Sequence, residues 1–116
     1  MTTITLNIAS LIKSPSALTR EQGAIVYHEI LQNLNSGNKV ILDFKEIESL
    51  ITPFLNVSIG KLYETFNSTQ LNALLEVQNP PDGTASKFQM VIQNAKQFYA
   101  DKKAFTKAVE DAINSQ

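Results

Sequence analysis

Residues 39–66 read KVILDFKEIESLITPFLNVSIGKLYETF, and this stretch decides the fold. The run KVILDF is short, apolar and rich in β-branched residues, which predicts a strand at 39–44 that is covered on both faces. After the polar loop KEIES, Thr52 stands where a helix N-cap is expected and Pro53 where the first helical residue is expected. A strand, a short loop and a helix at 53–66 are therefore predicted in succession.

The helix predicted at 53–66 carries one apolar stripe, formed by Leu55, Ile59, Leu62 and Phe66. Gly60 interrupts it at the centre, where glycine costs about 1 kcal/mol of helix stability relative to alanine. A glycine is tolerated in such a position when another part of the backbone comes close. The sequence therefore predicts a close approach of this helix to the sheet at Gly60.

The flanking sequence continues the alternation of strands and helices. Residues 2–8 and 70–78 alternate polar and apolar side chains, as half-buried strands do. TREQ at 19–22 offers a capping box for a helix at 19–36, and Gly37 suits the left-handed position after it. Residues 85–114 predict one helix, or two with Asp101 capping the second. Its apolar stripe consists of Phe88, Val91, Ile92, Ala95, Phe98, Phe105, Val109 and Ile113. The order predicts an α/β fold: one layer of three to four mainly parallel strands with helices packed on it.

Composition limits the function classes. A chain of 116 residues with 43% hydrophobic and 18% charged residues fits a single globular domain, 1–116. The net charge of -1 argues against nucleic-acid binding, and the Lys102, Lys103 and Lys107 group is offset by nearby acidic residues. No apolar run approaches the ~20 residues of a membrane span, and the N-terminus lacks a signal-peptide pattern. Without cysteine there is no disulfide or thiolate site, and we expect a cytoplasmic protein.

The residues offer little for catalysis. The carboxyl ends of parallel strands meet at one edge of a sheet, where functional sites cluster. At this edge Asp43, Glu46 and Ser49 are the candidate ligand-binding residues, although solvated or capping roles are favoured for the two carboxylates. His28 is the single histidine and has no partner at metal-ligand spacing, so an ordinary surface or boundary position is predicted. We therefore predict a protein that is not an enzyme and that needs no metal or cofactor.

The same central stretch resembles the core of STAS domains, named for sulfate transporters and anti-sigma factor antagonists. TPFLN followed by GKLYE is similar to the bacterial STAS-like family of unknown function, and TREQG resembles the polar element that begins that family's first helix. The resemblance covers roughly residues 3–77. It implies a regulatory domain that docks a partner, of the histidine-kinase-like ATPase type, through the turn and helix that follow the central strand.

In the antagonist branch, a serine in an Asp-Ser-Ser-Gly turn is phosphorylated and the complex separates. Alignment with that turn places Ile51 at the Asp, Thr52 at the first Ser, Pro53 at the phosphoacceptor Ser and Phe54 at the Gly. The acceptor position therefore lacks a hydroxyl, and Thr52 is the substitute candidate. We also expect the additional N-terminal strand and the last strand of a full STAS domain to be missing from the fold of these residues.

Two function hypotheses follow from these observations. The first is a protein-docking domain that uses Thr52, Pro53, Phe54 and Asn56, with Thr52 mainly a helix cap and Phe54 either a core residue or a docking anchor. The second is a sensor of a small ligand or nucleotide that uses the same helix start as an anion site. A homodimer is compatible with either hypothesis.

Overall fold

The main sheet of the protein has three parallel strands. A computed structural model describes the backbone of residues 1–114 and the side chains of residues 1–102 and 109. The strands β1 (Thr3–Asn7), β3 (Lys39–Asp43) and β5 (Leu75–Gln78) are arranged in the order β1-β3-β5, and both pairings are parallel. The predicted α/β class with parallel strands is confirmed.

The sheet is buried mainly on one face. Val40 and Leu42 of β3 are fully buried, as is most of Leu6 in β1, whereas Thr3 and Thr5 are exposed. The remaining residues of β3, namely Lys39, Ile41 and Asp43, are half-buried. The prediction that β3 is covered on both faces is therefore only half right, because β3 is central in the sheet but keeps one partly open face.

A second, two-stranded parallel sheet joins β2 (Ser16–Ala17) to β4 (Ser49–Leu50) and was not predicted. Before it, α1 (Ile8–Ile12) begins where the predicted strand 2–8 was to end, because the Asn7 side chain accepts a hydrogen bond from the Ser10 backbone N–H. An asparagine cap stops a strand and starts a helix without altering the apolar alternation before it. The alternation alone could not reveal this boundary.

The first long helix, α2 (Arg20–Asn35), begins as the sequence predicts. Thr19 accepts from the Gln22 N–H, and the Gln22 side chain returns a hydrogen bond to the Thr19 N–H, which completes the capping box. Gly37 follows the helix with φ of 82°, in the left-handed region. The buried face of α2 consists of Gly23, Val26, Tyr27, Ile30 and Leu34.

The helix predicted at 53–66 is broken into two parts. The first part, α3 (Thr52–Ser58), is α-helical, and a 3-10 helix (Gly60–Glu64) follows it. Ile59 joins them with φ of −111° and ψ of −48°. Leu55, Ile59 and Leu62 are buried as the stripe predicts, so the apolar pattern held although the hydrogen-bond pattern did not.

The strand predicted at 70–78 is partly wrong. Residues Ser68–Leu74 form α4, and only Leu75–Gln78 form β5. The cause is a second capping box, in which Asn67 accepts from the Gln70 N–H and the Gln70 side chain accepts from the Asn67 N–H. Asn67 therefore begins a helix, and the strand starts only after that helix ends at Leu74.

The C-terminal segment is one helix, α5 (Ala85–Asn114). Asp101 lies inside it and does not cap a second helix, so the two-helix alternative is wrong. Phe88, Val91 and Ala95 are buried, and Phe88 meets Phe44 edge-to-face with ring centroids 5.2 Å apart. Phe98 and Val109 are exposed, and the predictions for the side chains of Phe105, Ile113, Lys103 and Lys107 lie outside the described residues.

Candidate functional site at the start of α3

The ends of the three long strands meet as predicted. Asn7, Asp43 and Gln78 are register neighbours at the carboxyl edge of the sheet. An Asp43 Oδ1 atom accepts from Asn79 Nδ2 and from the Lys45 backbone N–H, each at 2.9 Å. The hydrogen bond from Asn79, followed by that from Lys45, holds the pKa of Asp43 below its usual value. Asp43 therefore ties the turn after β3 to the turn after β5.

The other two edge candidates lie in different surroundings. Glu46 is exposed with a φ of 73°, and it lines a shallow open pocket of about 280 Å³ together with Ser10, Lys13 and Ser14. Ser49 is exposed in β4. Asp43 bonds to its own neighbouring turns instead, so the structure does not gather Asp43, Glu46 and Ser49 into one ligand set.

The start of α3 differs from its prediction. The N-cap is Ile51, with extended backbone angles of −125° and 160°, and it makes no side-chain capping hydrogen bond. Thr52 is the first helical residue, so the prediction that it caps the helix is wrong. Among the described residues the Thr52 hydroxyl has no hydrogen-bond partner, and the side chain is half-buried. The Thr52 hydroxyl is therefore not engaged in capping α3.

Phe54 is a core residue. Phe54 and the following Leu55 are both fully buried. A partner cannot reach a side chain in this state, so the structure corrects the docking prediction for Phe54 in favour of the core alternative. Asn56 is exposed and Pro53 is half-buried, which leaves Thr52, Pro53 and Asn56 as the accessible part of the predicted site. We call these three residues the α3 surface.

The α3 surface rests on a close crossing of α2 and α3 at Gly23. A Cβ atom added at Gly23 would lie 2.7 Å from the Phe54 carbonyl oxygen and 3.1 Å from Val57 Cβ. Real Cβ atoms essentially never come as close as 2.7 Å to a backbone oxygen, so glycine is needed here. The sequence offered Gly23 inside TREQG, but nothing in its spacing to α3 marked it as the contact point.

Gly60 has a different environment from the one predicted. A Cβ atom there would lie 3.5 Å from Val91 Cγ1 and 3.6 Å from Ala95 Cβ, which are ordinary contact distances to α5. The predicted close approach to the sheet at Gly60 is therefore wrong. Gly60 instead lines an open groove of about 270 Å³ between the α3 segment and α5, with Asn56, Asn94, Ala95, Phe98 and Tyr99.

One charged residue near the α3 surface was missed. The part-buried Lys87 Nζ, from the first turn of α5, donates to the Leu50 carbonyl oxygen at 3.0 Å. Leu50 immediately precedes the N-cap of α3, so an ammonium group lies next to the chain that enters this helix. The contact joins residues 37 positions apart, which no local pattern could indicate.

The remaining candidates do not add a catalytic group. His28 is exposed on α2 and meets Tyr27 at a centroid distance of 5.8 Å, as expected for a surface histidine. Within the part of the chain that the structure describes, no three His, Cys, Asp or Glu side chains come together as a metal-ion site. None of the helices in residues 1–114 has the length and apolar character that a bilayer crossing requires.

A comparison with models of protein families shows to which family the chain belongs. The model of the STAS-like domain of unknown function (DUF4325) matches residues 22–83, more than half of the chain. The chain belongs to this STAS-like family. The matched residues of the domain run from the first turn of α2 through β3, α3 and β5, and so include the α3 surface. A search of curated proteins and one of solved structures gave no match.

Proposed function

We propose that this STAS-like domain is a non-enzymatic regulatory module that binds a partner protein through the α3 surface. The arrangement of side chains at the start of α3 supports this proposal. Phe54 and Leu55 fix α3 in the core, while Thr52, Pro53 and Asn56 remain accessible on the same turns. A binding surface on a rigid base loses little conformational entropy when a partner binds.

The partner proposed is a protein of the histidine-kinase-like ATPase type, which is the class that the resemblance to antagonist STAS domains implies. The α3 surface carries two polar side chains and a proline, with no charge of its own. It therefore suits recognition by shape and hydrogen bonds, in which a few central residues supply most of the binding free energy.

Thr52 is the residue through which binding would be regulated. Its hydroxyl is not occupied in a helix cap, so it can accept a phosphoryl group without the loss of a capping hydrogen bond. A phosphate adds about −1.5 to −2 charge to the α3 surface, which disrupts a neutral interface. Phosphorylation of Thr52 is accordingly proposed as the event that releases the partner.

Binding by surface variants tests this proposal. In the test, a histidine-kinase-like ATPase, the class of partner proposed, is titrated calorimetrically with the purified full chain. Asn56→Arg on α3 is expected to weaken binding by about tenfold or more, as loss of a central contact does. Asn72→Arg, at an exposed position on α4, is the matched control and should bind as the unmodified chain does. Thr52→Glu should also weaken binding, and by more than Thr52→Ala does.

Other outcomes would contradict the proposal. Equal binding by Asn56→Arg and Asn72→Arg would remove the α3 surface from the interface. A rise in thermal stability with ATP or GTP alone would instead support the small-ligand hypothesis, because a ligand that binds only the native state stabilises it. Light scattering of the free chain would show whether a homodimer competes for the same surface.

A further inference from the structure

We infer that Ile59–Gly60 is a hinge, at which residues 52–64 exchange between the observed broken form and one continuous α-helix. This inference does not depend on the proposed docking function. The apolar residues Leu55, Ile59 and Leu62 have the spacing of a single α-helix and are all buried. The backbone nevertheless changes to a 3-10 helix at Gly60. A 3-10 stretch within a helical sequence is typical of hinges and of strained segments.

The broken form leaves a buried polar group without a partner. Ser58 is fully buried at the end of α3, and its Oγ atom forms no hydrogen bond. Among the described residues it is the one buried side-chain oxygen or nitrogen in this condition. A buried hydroxyl without a partner destabilises the conformation that contains it, and it lies one residue before the hinge. The observed form therefore carries a cost at the place where the helix breaks.

Gly60 is not required by the observed form. Its φ is not positive, and a Cβ atom would meet α5 only at ordinary contact distances. Glycine does lower the cost of backbone change, because it has the greatest conformational freedom. The groove of about 270 Å³ beside Gly60 and Phe98 supplies space into which the segment can move. Flexibility and free volume therefore occur together at this position.

A contact to α2 holds the 3-10 helix in the observed position. The exposed Lys61 places its Nζ atom 4.9 Å from the centre of the Tyr27 ring, a cation–π geometry. Lengthening α3 through Gly60 would rotate Lys61, because a 3-10 helix has 3.0 residues per turn and an α-helix 3.6. Loss of the Lys61–Tyr27 contact is thus part of the exchange, and the Tyr27 ring reports on it.

Nuclear magnetic resonance of the full chain tests the hinge. Relaxation dispersion should detect microsecond-to-millisecond exchange at the amides of residues 58–64. Gly60→Ala favours the α-helix and should shift the Cα resonances of residues 59–64 toward α-helical values. Lys61→Gln, which removes the ammonium above Tyr27, should shift them in the same direction. Ser58→Ala removes the unpartnered hydroxyl from the observed form, so it should reduce the exchange and shift the resonances the opposite way.

A variant on α4 serves as the control for the hinge. Asn72→Ala, on the exposed side of α4, should leave residues 58–64 unchanged. Flat dispersion profiles across 58–64 in the unmodified chain would overturn the hinge. The same shift direction for Ser58→Ala and Lys61→Gln would also overturn it. If Gly60→Ala does not fold, the unmodified chain, Ser58→Ala and Lys61→Gln still decide the question.

Discussion

The N-termini of α2 and α3 are stabilised in opposite ways. In α2 the N-cap Thr19 and the third helical residue, Gln22, exchange hydrogen bonds on the exposed surface. In α3 the N-cap is Ile51, which makes no capping bond, and the third helical residue is the fully buried Phe54. The first helix start is stabilised by polar groups and the second by apolar burial. The threonine of α3 is consequently released from a structural role.

The difference shows why a threonine before a helical pattern is an ambiguous signal. Both Thr19 and Thr52 precede an apolar run, and both were predicted to be caps. For α3, strand pairing decides where the helix begins. The Ile51 N–H donates to the Ala17 carbonyl oxygen and so extends the pairing of β4 with β2. Strand pairing places Ile51 in an extended conformation, and the helix then begins one residue before the predicted first residue, Pro53. Thr52 therefore has no capping role at the start of α3.

The largest expected effect tests the apolar anchor of α3. Phe54→Ala should lower the free energy of unfolding by about 3–5 kcal/mol, because it removes a fully buried aromatic side chain and leaves a cavity. Denaturant titration measures the change. Asn56→Ala, exposed on the same helix, is the control and should stay within about 0.5 kcal/mol. A small effect of Phe54→Ala would mean that the anchor of α3 lies elsewhere.

The next effect tests the crossing that joins the two helix starts. Gly23→Ala should destabilise the domain by about 1–3 kcal/mol, because the added methyl overlaps the Phe54 carbonyl oxygen and this outweighs the gain in helix propensity. The same substitution at Gly60 meets only ordinary contacts and should be neutral or slightly stabilising. Thermal unfolding of the two variants provides the comparison. Equal stability of both would show that α3 moves away from α2 at little cost.

The two threonines themselves give a smaller and sharper comparison. Thr19→Ala removes a capping bond and should cost about 1 kcal/mol. Thr52→Ala removes a hydroxyl that has no partner among the described residues and should change stability by only a few tenths of a kcal/mol. Denaturant midpoints of the two variants measure the difference. Equal losses would indicate that Thr52 caps α3 in solution and would weaken its proposed role in regulation.

Much of the fold was predictable from local chemistry. The capping box at Thr19, the left-handed Gly37 and the existence of a strand at β3 each depend on residues within a few positions, and each is confirmed. The parallel order and the gathering of strand ends at Asp43 follow from the alternation of elements. Residues 67–78 carry both a capping box and the alternation of a strand, and the sequence did not show which of the two would determine the structure. As a result, α4 was predicted to be part of a strand.

The site depended on contacts that are distant along the chain. Burial of Phe54, the crossing at Gly23 and the Lys87 contact to Leu50 join residues that are 31 or more positions apart. Spacing within one helix states which residues share a face, but not which neighbour covers that face. The two alternatives for Phe54, core residue or docking anchor, could therefore be decided only by how α3 packs in the folded domain.

The smallest effect concerns the turn that leads from β3 toward α3. Hydrogen bonds from Asn79 and Lys45 lower the pKa of Asp43 in the folded state, so its charged form stabilises the fold above the ordinary carboxyl pKa of about 4. This contribution is lost as pH falls through the folded-state pKa. Asp43→Asn keeps an acceptor for both donors but removes the titration. The variant's melting temperature should therefore fall less between pH 5 and pH 3 than that of the unmodified chain. Parallel acid profiles for the two proteins would mean that the charge of Asp43 does not hold this turn, and that strand pairing alone positions the residues leading to Ile51.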